Sequence, residues 1–246
     1  MRVCPTSVLR SLLTLWIGLA ALLCPAARDA QAGDAAQNVA VQFAFDRPLD
    51  SSMAPFFVAQ RSGLFSAEHL NVSFNHAAGS PEALARVARG DSDLALVDIN
   101  ELIRFRDKAE APAVKAVFVL FNSAPYAIIA RKSRGIRALS DMEDKNLGVA
   151  EGDLSIRLWP AVAKQNGIKI ASVKQSNISA AVREPMLSAG QIDAVTGFSY
   201  LSAINLKDRG VPADDLAVLK FADYGCDAYG FAIIVNPALA AAKPEA

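Results

Sequence analysis

One short sequence element occurs twice, and its two copies constrain the fold more than any other feature of the chain. Residues 88–96 read ARGDSDLAL and residues 188–195 read SAGQIDAV, with Gly90 and Gly190 placed 100 residues apart. Each copy reads as the end of a helix, a glycine stop, an aspartate and a buried strand. Two copies at equivalent places in two α/β halves predict two similar lobes.

Short apolar strands alternate with amphipathic helices in both halves, which predicts an α/β fold with mostly parallel sheets and helices on both faces. Ser80 and Pro81 predict a helix start as N-cap and first residue, and D-x-x-E at 98–101 and S-x-x-E at 140–143 predict capped turns. The predicted strands are 39–45, 71–74, 94–97, 114–121, 147–149, 172–174, 192–196 and 216–220, and the predicted helices are 54–62, 80–89, one from 98, 154–166, 185–189 and 199–208.

The chain passes between the halves near Asn122–Ala127 and is expected to return through Asp227–Val235. Two crossings make a hinge, and ligands of such sheets gather at the carboxyl ends of the strands. The sequence therefore predicts a ligand cleft between the two lobes.

Residues 1–32 have the pattern of an export signal. Arg2 and Arg10 precede an apolar stretch at 12–23, and Ala30-Gln31-Ala32 fits an A-x-A cleavage site. The apolar stretch falls short of the roughly 20 residues that span a membrane. A lipoprotein anchored at Cys24 is the alternative, although Leu22 and Leu23 precede the cysteine where a lipobox has a small residue. The expected location is the periplasm.

Composition and motifs argue against an enzyme and against nucleic-acid binding. The formal net charge is zero, so no basic surplus indicates a nucleic-acid partner. The motifs G-x-S-x-G, G-x-x-x-x-G-K-[ST] and H-E-x-x-H are absent. His69 and His76 are the two histidines, and Cys226 is the one cysteine after the signal. We therefore expect no catalytic residue, no cofactor and no metal site.

Four ordered segments resemble a known family. Residues 54–65 (APFFVAQRSGLF), 79–84 (GSPEAL), the two glycine elements and 140–149 (SDMEDKNLGV) resemble the NMT1/THI5-like family, the nitrate, sulfonate, taurine and thiamine-pyrimidine substrate-binding proteins of ABC transporters. The resemblance covers about residues 39–240. It implies a type II periplasmic-binding-protein fold, in which two Rossmann-like α/β lobes joined by a two-segment hinge close on a solute.

The resemblance also implies a domain division and partners. Residues 1–32 would be the signal peptide, 33–124 with 225–246 lobe I, and 125–224 lobe II. A monomer would deliver its solute to a membrane permease and ATPase. Members of the family continue for several further helices, so the C-terminal helices are expected to be missing. A sensor module with the same fold and a nonfunctional truncated copy are the alternatives that the sequence leaves open.

Two departures from the family pattern bear on the ligand. Pyrimidine binders follow the first strand with Asp-Trp and a nearby His, whereas residues 46–50 (DRPLD) keep the aspartate alone. A pyrimidine-making relative of the fold uses its own His and a Cys-rich segment, which Cys226 alone does not supply. The first departure argues against a pyrimidine ligand, and the second argues against an enzyme.

Polar and aromatic residues at strand ends are the candidate ligand contacts. Their carboxylates outnumber the nearby cations Arg47 and Arg183, which argues against a bare anion such as nitrate. The excess predicts a solute with N–H donors or a cationic amine, and an aromatic or planar body is compatible with it. Ser80 as a plain cap and Trp159 as a core residue are the alternatives at those positions. The candidates are Asp46, Asp50, Gly79, Ser80, Asp98 and Asn100 in the first lobe and Glu151, Asp153, Trp159, Glu184, Thr196, Phe198, Tyr200 and Asp227 in the second lobe or at the return crossing.

Overall fold

The strands and helices occupy two stretches of the chain. A computed structural model describes residues 38–150 and 152–244. The signal-peptide interpretation, the Cys24 anchor and the candidate Glu151 therefore fall outside the described residues. The strands are β1 (Val39–Phe45), β2 (Leu70–His76), β3 (Leu94–Asp98), β4 (Lys115–Val119), β5 (Tyr126–Arg131), β6 (Asn146–Ala150), β7 (Lys174–Ile178), β8 (Ala194–Phe198), β9 (Leu216–Lys220) and β10 (Phe231–Val235). The helices are α1 (Ala54–Arg61), α2 (Leu64–Ala67), α3 (Ser80–Arg89), α4 (Ile99–Arg106), α5 (Ser155–Gln165), α6 (Arg183–Ala189), α7 (Ser199–Asp208) and α8 (Pro237–Ala242).

The strands form two five-stranded sheets with the same pattern. The first has the order β2-β1-β3-β10-β4 and the second the order β7-β6-β8-β5-β9. In the first sheet β1 pairs parallel with β2 and β3, and β10 pairs antiparallel with β3 and β4. In the second sheet β6 pairs parallel with β7 and β8, and β5 pairs antiparallel with β8 and β9. Each sheet thus holds one reversed strand in the fourth position, and the mostly parallel α/β prediction is confirmed.

The repeated glycine element lies at equivalent places in the two lobes. Gly90 ends α3 and Gly190 ends α6, with φ angles of 85° and 73° that favour glycine. Asp93 Oδ2 then accepts a hydrogen bond from the backbone N of Gln42 at 2.7 Å. Asp193 Oδ2 accepts the corresponding bond from the backbone N of Asn146 at 2.8 Å. The repeat in sequence is therefore a repeat in hydrogen bonding, in which each aspartate ties the start of the central strand of its sheet, β3 or β8, to the neighbouring parallel strand, β1 or β6.

Two adjacent segments of chain connect the lobes. One crosses between β4 and β5, and the other leads from the short turn Phe221–Tyr224 into β10. Ala124 N donates to Ala228 O at 2.8 Å, and Gly230 N donates to Phe121 O at 2.9 Å. A Cβ at Gly230 would lie 3.0 Å from Phe121 Cβ, so glycine permits this close approach. The connection between the lobes is therefore a hydrogen-bonded pair of segments.

Each lobe has a hydrophobic core of its own. In the first lobe, phenylalanines of β1, β2 and α1 pack edge to face and tilted, as Phe45 does on Phe56 at 5.2 Å between ring centroids. In the second lobe, Trp159 is fully buried and stacks on Phe221 at 6.3 Å. Leu154 and Phe198 of the second lobe also pack against the first-lobe cluster, so the two lobes touch.

Two capping predictions are wrong in detail. The N-cap of α3 is Gly79, and Ser80 is the first helical residue with its hydroxyl turned away from the helix. At residues 139–142 the chain makes a short turn in which Asp141 accepts backbone hydrogen bonds from Arg137 and Ala138, so Asp141 and not Ser140 caps it. Within 38–150 and 152–244, no helix has the length and apolar character needed to cross a membrane.

Candidate functional site

Buried carboxylates follow two parallel strands of the first lobe. Asp46 comes directly after β1 and is 4% exposed, and Asp98 ends β3 and is 2% exposed. Ser80 joins them, because its hydroxyl donates to Asp46 Oδ2 at 2.6 Å and accepts from the Asp98 backbone N at 3.0 Å. The position of Ser80 inside the first turn of α3 turns the hydroxyl toward the strands. Three of the candidate residues thus form one hydrogen-bonded group at the carboxyl ends of β1 and β3.

Burial raises the pKa of both carboxyl groups. For Asp98 the pKa rises to about 6, mainly through burial, with the charges of Glu101 and Asp46 adding to the rise and hydrogen bonds from Asn100 opposing it. Burial also raises the pKa of Asp46, against the opposing effects of the Arg47 charge and the Ser80 hydroxyl. Two such carboxyl groups at one place favour a ligand that carries several hydrogen-bond donors. A buried carboxylate needs hydrogen bonds or a cation to offset its desolvation.

Asp98 contacts both the adjacent helix and the second lobe. Its Oδ1 accepts from the Asn100 backbone N at 2.6 Å and caps α4, as predicted. Its Oδ2 accepts from the hydroxyl of Tyr126, the first residue of β5. The Asn100 side chain donates to the Tyr229 carbonyl in the return crossing at 3.1 Å. These contacts hold the end of β3 against both crossing segments.

Asp50 and Gly79 have backbone roles beside this group. Asp50 caps the turn Ser51–Met53, since its Oδ1 accepts from Ser52 N at 2.8 Å. Its charge also helps to raise the pKa of Tyr200, for which burial is the main cause. Gly79 has a φ of 148°, which favours glycine, and it is the N-cap residue from which α3 begins.

A second polar group lies at the strand ends of the second lobe. Asp153 accepts from the Thr196 hydroxyl at 2.6 Å, and Arg183 lies 3.5 Å away. Arg183 also pairs with Glu184 at 3.0 Å, and Glu184 accepts from the Ser202 hydroxyl at 2.8 Å. Thr196, Glu184 and Ser202 are buried. The candidates Asp153, Thr196 and Glu184 are thus brought together around one guanidinium.

Five aromatic rings, which we call the aromatic cluster, lie where the lobes meet. They are Phe121 and Phe231 from the first lobe and its crossing segment and Tyr126, Phe198 and Tyr200 from the second lobe. Phe198 meets Phe231 edge to face at 5.6 Å between centroids, and Phe121 stacks on Tyr200 at 6.2 Å. Arg47 lies over two of these rings, 4.3 Å from the Phe231 centroid and 4.9 Å from the Phe198 centroid.

A cavity of about 490 Å³ opens at the carboxyl ends of β6 and β7. Its volume is in the range of sites that hold small molecules. Arg157 in its wall also pairs with Glu101 of the first lobe at 2.7 Å, so the cavity borders a contact between the lobes. The lining residues are Val149, Ala150, Gly152, Asp153, Ile156, Arg157, Gln175 and Asn177.

Two candidates lie apart from these groups. Trp159 is 0% exposed and packs in the core of the second lobe, in line with the packing alternative. Asp227 is exposed in the return crossing. The sequence missed Tyr126 and Phe231, which reach the site through strand pairing between distant segments, and it also missed Ser202 on α7 and Arg157 on α5. A polar hydroxyl at the start of the apolar run 126–130 was the one available signal for Tyr126.

Metal and thiol chemistry find little support in the described residues. No group of three or more His, Cys, Asp or Glu that could hold a metal ion occurs within 38–150 and 152–244. Burial and the charge of Asp227 raise the pKa of Cys226, so its thiolate form is disfavoured at neutral pH.

A family model described as "NMT1/THI5 like" matches residues 50–246. The chain belongs to the NMT1/THI5-like family. The resemblance drawn from the four ordered segments is thereby confirmed.

Solved structures of binding proteins have the same fold. The periplasmic aliphatic sulphonate binding protein SsuA from Escherichia coli matches with a TM-score of 0.66 and 16% identity, over 83% of this chain and 67% of that chain. The alkanesulfonate-binding protein SsuA from Xanthomonas axonopodis pv. citri, bound to MOPS, matches with a TM-score of 0.61 and 17% identity, over 85% and 70%. The predicted type II periplasmic-binding-protein fold is confirmed.

A curated relative has an enzyme's name. The 4-amino-5-hydroxymethyl-2-methylpyrimidine phosphate synthase of Legionella pneumophila is 24% identical over 191 residues, which is 78% of this chain. The chain spans 59% of the length of that relative.

Proposed function

We propose that this protein is the extracytoplasmic solute-binding component of an ABC importer of the nitrate/taurine type. It would capture a small organic solute that contains nitrogen or sulfur in the cleft between its two lobes. The observation that carries the proposal is that polar groups at the strand ends of both lobes meet at one interface, around the aromatic cluster and beside a cavity of about 490 Å³. Ligands of open α/β sheets bind at such strand ends.

The site would work as a clamp. From the first lobe, Asp46 and Asp98 supply carboxylates and Ser80 supplies a hydroxyl. The second lobe supplies the carboxylate of Asp153, the hydroxyl of Thr196 and the guanidinium of Arg183. A solute that contacts both groups stabilises the closed form by its differential affinity for that form. The hydrogen-bonded pair of crossing segments would act as the hinge.

The domain division that accompanies this proposal has lobe I at 33–124 with 225–246 and lobe II at 125–224. The sheets support it, since the strands of the second sheet lie within 126–220 and β10 joins the first sheet. A permease and an ATPase would be the partners, and the periplasm the location. Cell fractionation of a tagged chain, and solute uptake by a strain that lacks the gene, test these two points.

Closure in solution tests the binding function. Purified protein is screened by thermal unfolding against amines, pyrimidines, sulfonates, nitrate and a metabolite extract, and each hit is followed by small-angle scattering. A ligand that binds the folded state raises the melting temperature by mass action, and a clamp also lowers the radius of gyration. Asp46→Ala and Asp153→Ala should each weaken binding in a folded protein, whereas Asp91→Ala on the exposed face should not. Binding of no compound, or binding unchanged in both cleft variants, would overturn the proposal.

The curated relative supports an enzyme as the second candidate. Pyrimidine synthesis that consumes a histidine of the chain would change its mass at His69 or His76, both exposed on β2 or next to it. Intact-mass and peptide mass spectrometry of the purified protein test this. An unmodified chain excludes the synthase.

A sensor role is the other alternative to transport. It differs from transport because deletion of the gene would leave solute uptake unchanged.

A further inference from the structure

Arg47 occupies a corner built by aromatic rings of both lobes. The residue lies in the bend that directly follows β1. Its guanidinium carbon is 4.3 Å from the ring centroid of Phe231 in the first lobe and 4.9 Å from that of Phe198 in the second lobe. The two rings meet at 77°, so they form two walls of a corner. Ring faces at these distances attract a cation.

The carboxylate beside this corner is incompletely satisfied. Arg47 Nη2 lies 2.9 Å from Asp46 Oδ1, which is an ion-pair distance. Asp46 is nevertheless 4% exposed with Oδ1 lacking an aligned hydrogen bond, and Arg47 Nε is buried without a hydrogen-bond partner. Buried polar atoms normally have such partners, because leaving one unpaired costs free energy. The fit of Arg47 to this place is therefore imperfect.

We infer that the Arg47 side chain occupies the position of the solute when no solute is bound. The corner between Phe198 and Phe231 then binds a planar organic cation of the guanidinium or amidinium class. The inference rests on the proposed solute-binding function and deepens it by naming the solute class. A free cation of this kind would present its face to the rings and two N–H groups to Asp46. Arg47 would then turn out of the corner.

The charges at this place favour exchange of one cation for another. Asp46 and Asp98 are linked through Ser80, and the charge of Asp46 adds to the rise in the pKa of Asp98. Exchange of Arg47 for a solute cation keeps that charge balance, whereas an anion would add to two buried carboxyl groups. The Arg47 side chain keeps 23% of its surface exposed, so it is open to solvent on one side.

An internal competitor also sets a threshold for binding. The apparent affinity for a solute equals the intrinsic affinity multiplied by the fraction of time for which the corner is free. A cation that contacts the rings and Asp46 no better than Arg47 does would not displace it. Selectivity against small inorganic cations follows from this competition.

Calorimetry with three small probes tests the inference. Methylguanidinium is the cation, N-methylurea is its neutral isostere and ethanesulfonate is the anion. Each is titrated into the wild-type protein, Arg47→Met, the double variant Asp46→Asn/Arg47→Met, and Arg89→Met. Met keeps much of the length of the side chain without its charge, and Arg89 pairs with Asp91 on an exposed surface, so its replacement is the matched control. Thermal unfolding establishes that each variant is folded.

Methylguanidinium should bind Arg47→Met about 10-fold or more tightly than it binds the wild type. The gain should be absent for N-methylurea and Arg89→Met and lost in the double variant. Equal affinity of methylguanidinium for Arg47→Met and the wild type would overturn the inference. Ethanesulfonate binding that is present in the wild type and lost in Arg47→Met would also overturn it, since Arg47 would then be an anion contact, while the solute-binding function would stand.

Discussion

Arg157 in α5 and Glu101 in α4 form an ion pair at 2.7 Å that joins the second lobe to the first. Glu101 is buried and accepts from Arg104 of its own helix at the same distance. One carboxylate therefore has one partner within its lobe and one across the cleft.

Arg157→Gln should weaken solute binding by up to about fivefold, because a partly exposed ion pair contributes up to about 1 kcal/mol to the closed form. Arg104→Gln removes the partner within the lobe and is the matched control, with little effect on affinity. Calorimetry with a solute found by the screen, together with scattering of the bound form, measures both. Equal effects of the two substitutions would show that the pair across the cleft does not favour closure.

Asp98→Asn should alter how stability depends on pH. The pKa of Asp98 is raised to about 6 from 3.8. Between these values the folded protein holds a proton that the unfolded chain has released, so stability falls as the pH rises from about 4 to 6. The fall amounts to about 3 kcal/mol for a shift of roughly two pKa units, and Asp98→Asn should remove it.

Asp215→Asn is the control of opposite sign for that pH series. Hydrogen bonds from Ser133 and Arg131 lower the pKa of Asp215 to about 2. Its contribution is present above pH 4 and is lost as the pH falls from about 4 to 2. Urea unfolding at a series of pH values separates the two windows. A wild-type curve that stays level between pH 4 and 6 would contradict the assignment to Asp98.

Trp159→Phe should lower stability and leave solute affinity unchanged. The side chain is fully buried on Phe221, so the smaller ring loses buried volume and costs about 1–2 kcal/mol. Removal of the indole N–H, which lacks a hydrogen-bond partner, offsets part of that cost. Phe198→Leu, at the interface, should lower affinity instead. Loss of solute binding in a folded Trp159→Phe variant would show that Trp159 contributes to the ligand site.

Asp93→Ala and Asp193→Ala should each lower the stability of one lobe, the first lobe for Asp93 and the second lobe for Asp193. Each aspartate accepts one backbone hydrogen bond from the neighbouring parallel strand, β1 for Asp93 and β6 for Asp193, and its loss costs about 1 kcal/mol. Hydrogen exchange should rise around β1 and β3 in the first variant and around β6 and β8 in the second. Exchange that rises in both lobes in either variant would mean that the lobes unfold as one unit.

The fold was predictable where local chemistry decides it. The positive φ of Gly90 and Gly190 and the capping by Asp98 depend on neighbouring residues, and α3, α7 and β9 have the predicted bounds. The strand β5 was missed because a fully buried strand is apolar throughout and shows no alternation. Residues 231–235 were interpreted as part of the return crossing, although they form β10.

The site was predictable to the extent that it follows strand ends. Asp46, Ser80 and Asp98 lie together for that reason, and so do Asp153 and Thr196. Tyr126 and Phe231 come to the same place through the two reversed strands. Their pairing joins segments far apart in the chain, which a pattern in one segment does not reveal.

The place of β10 in the first sheet bears on the order in which a growing chain completes its lobes. The edge strand β4 pairs with β10, and Phe231 follows the last strand of the second sheet in the chain. A ribosome therefore makes every strand of the second sheet before the first sheet is complete, and pairing between such distant segments is slow. The backbone groups of β4 that pair with β10, among them those of Ala116 and Phe118, have no strand partner during that interval. The lobe begun first is therefore the lobe finished last.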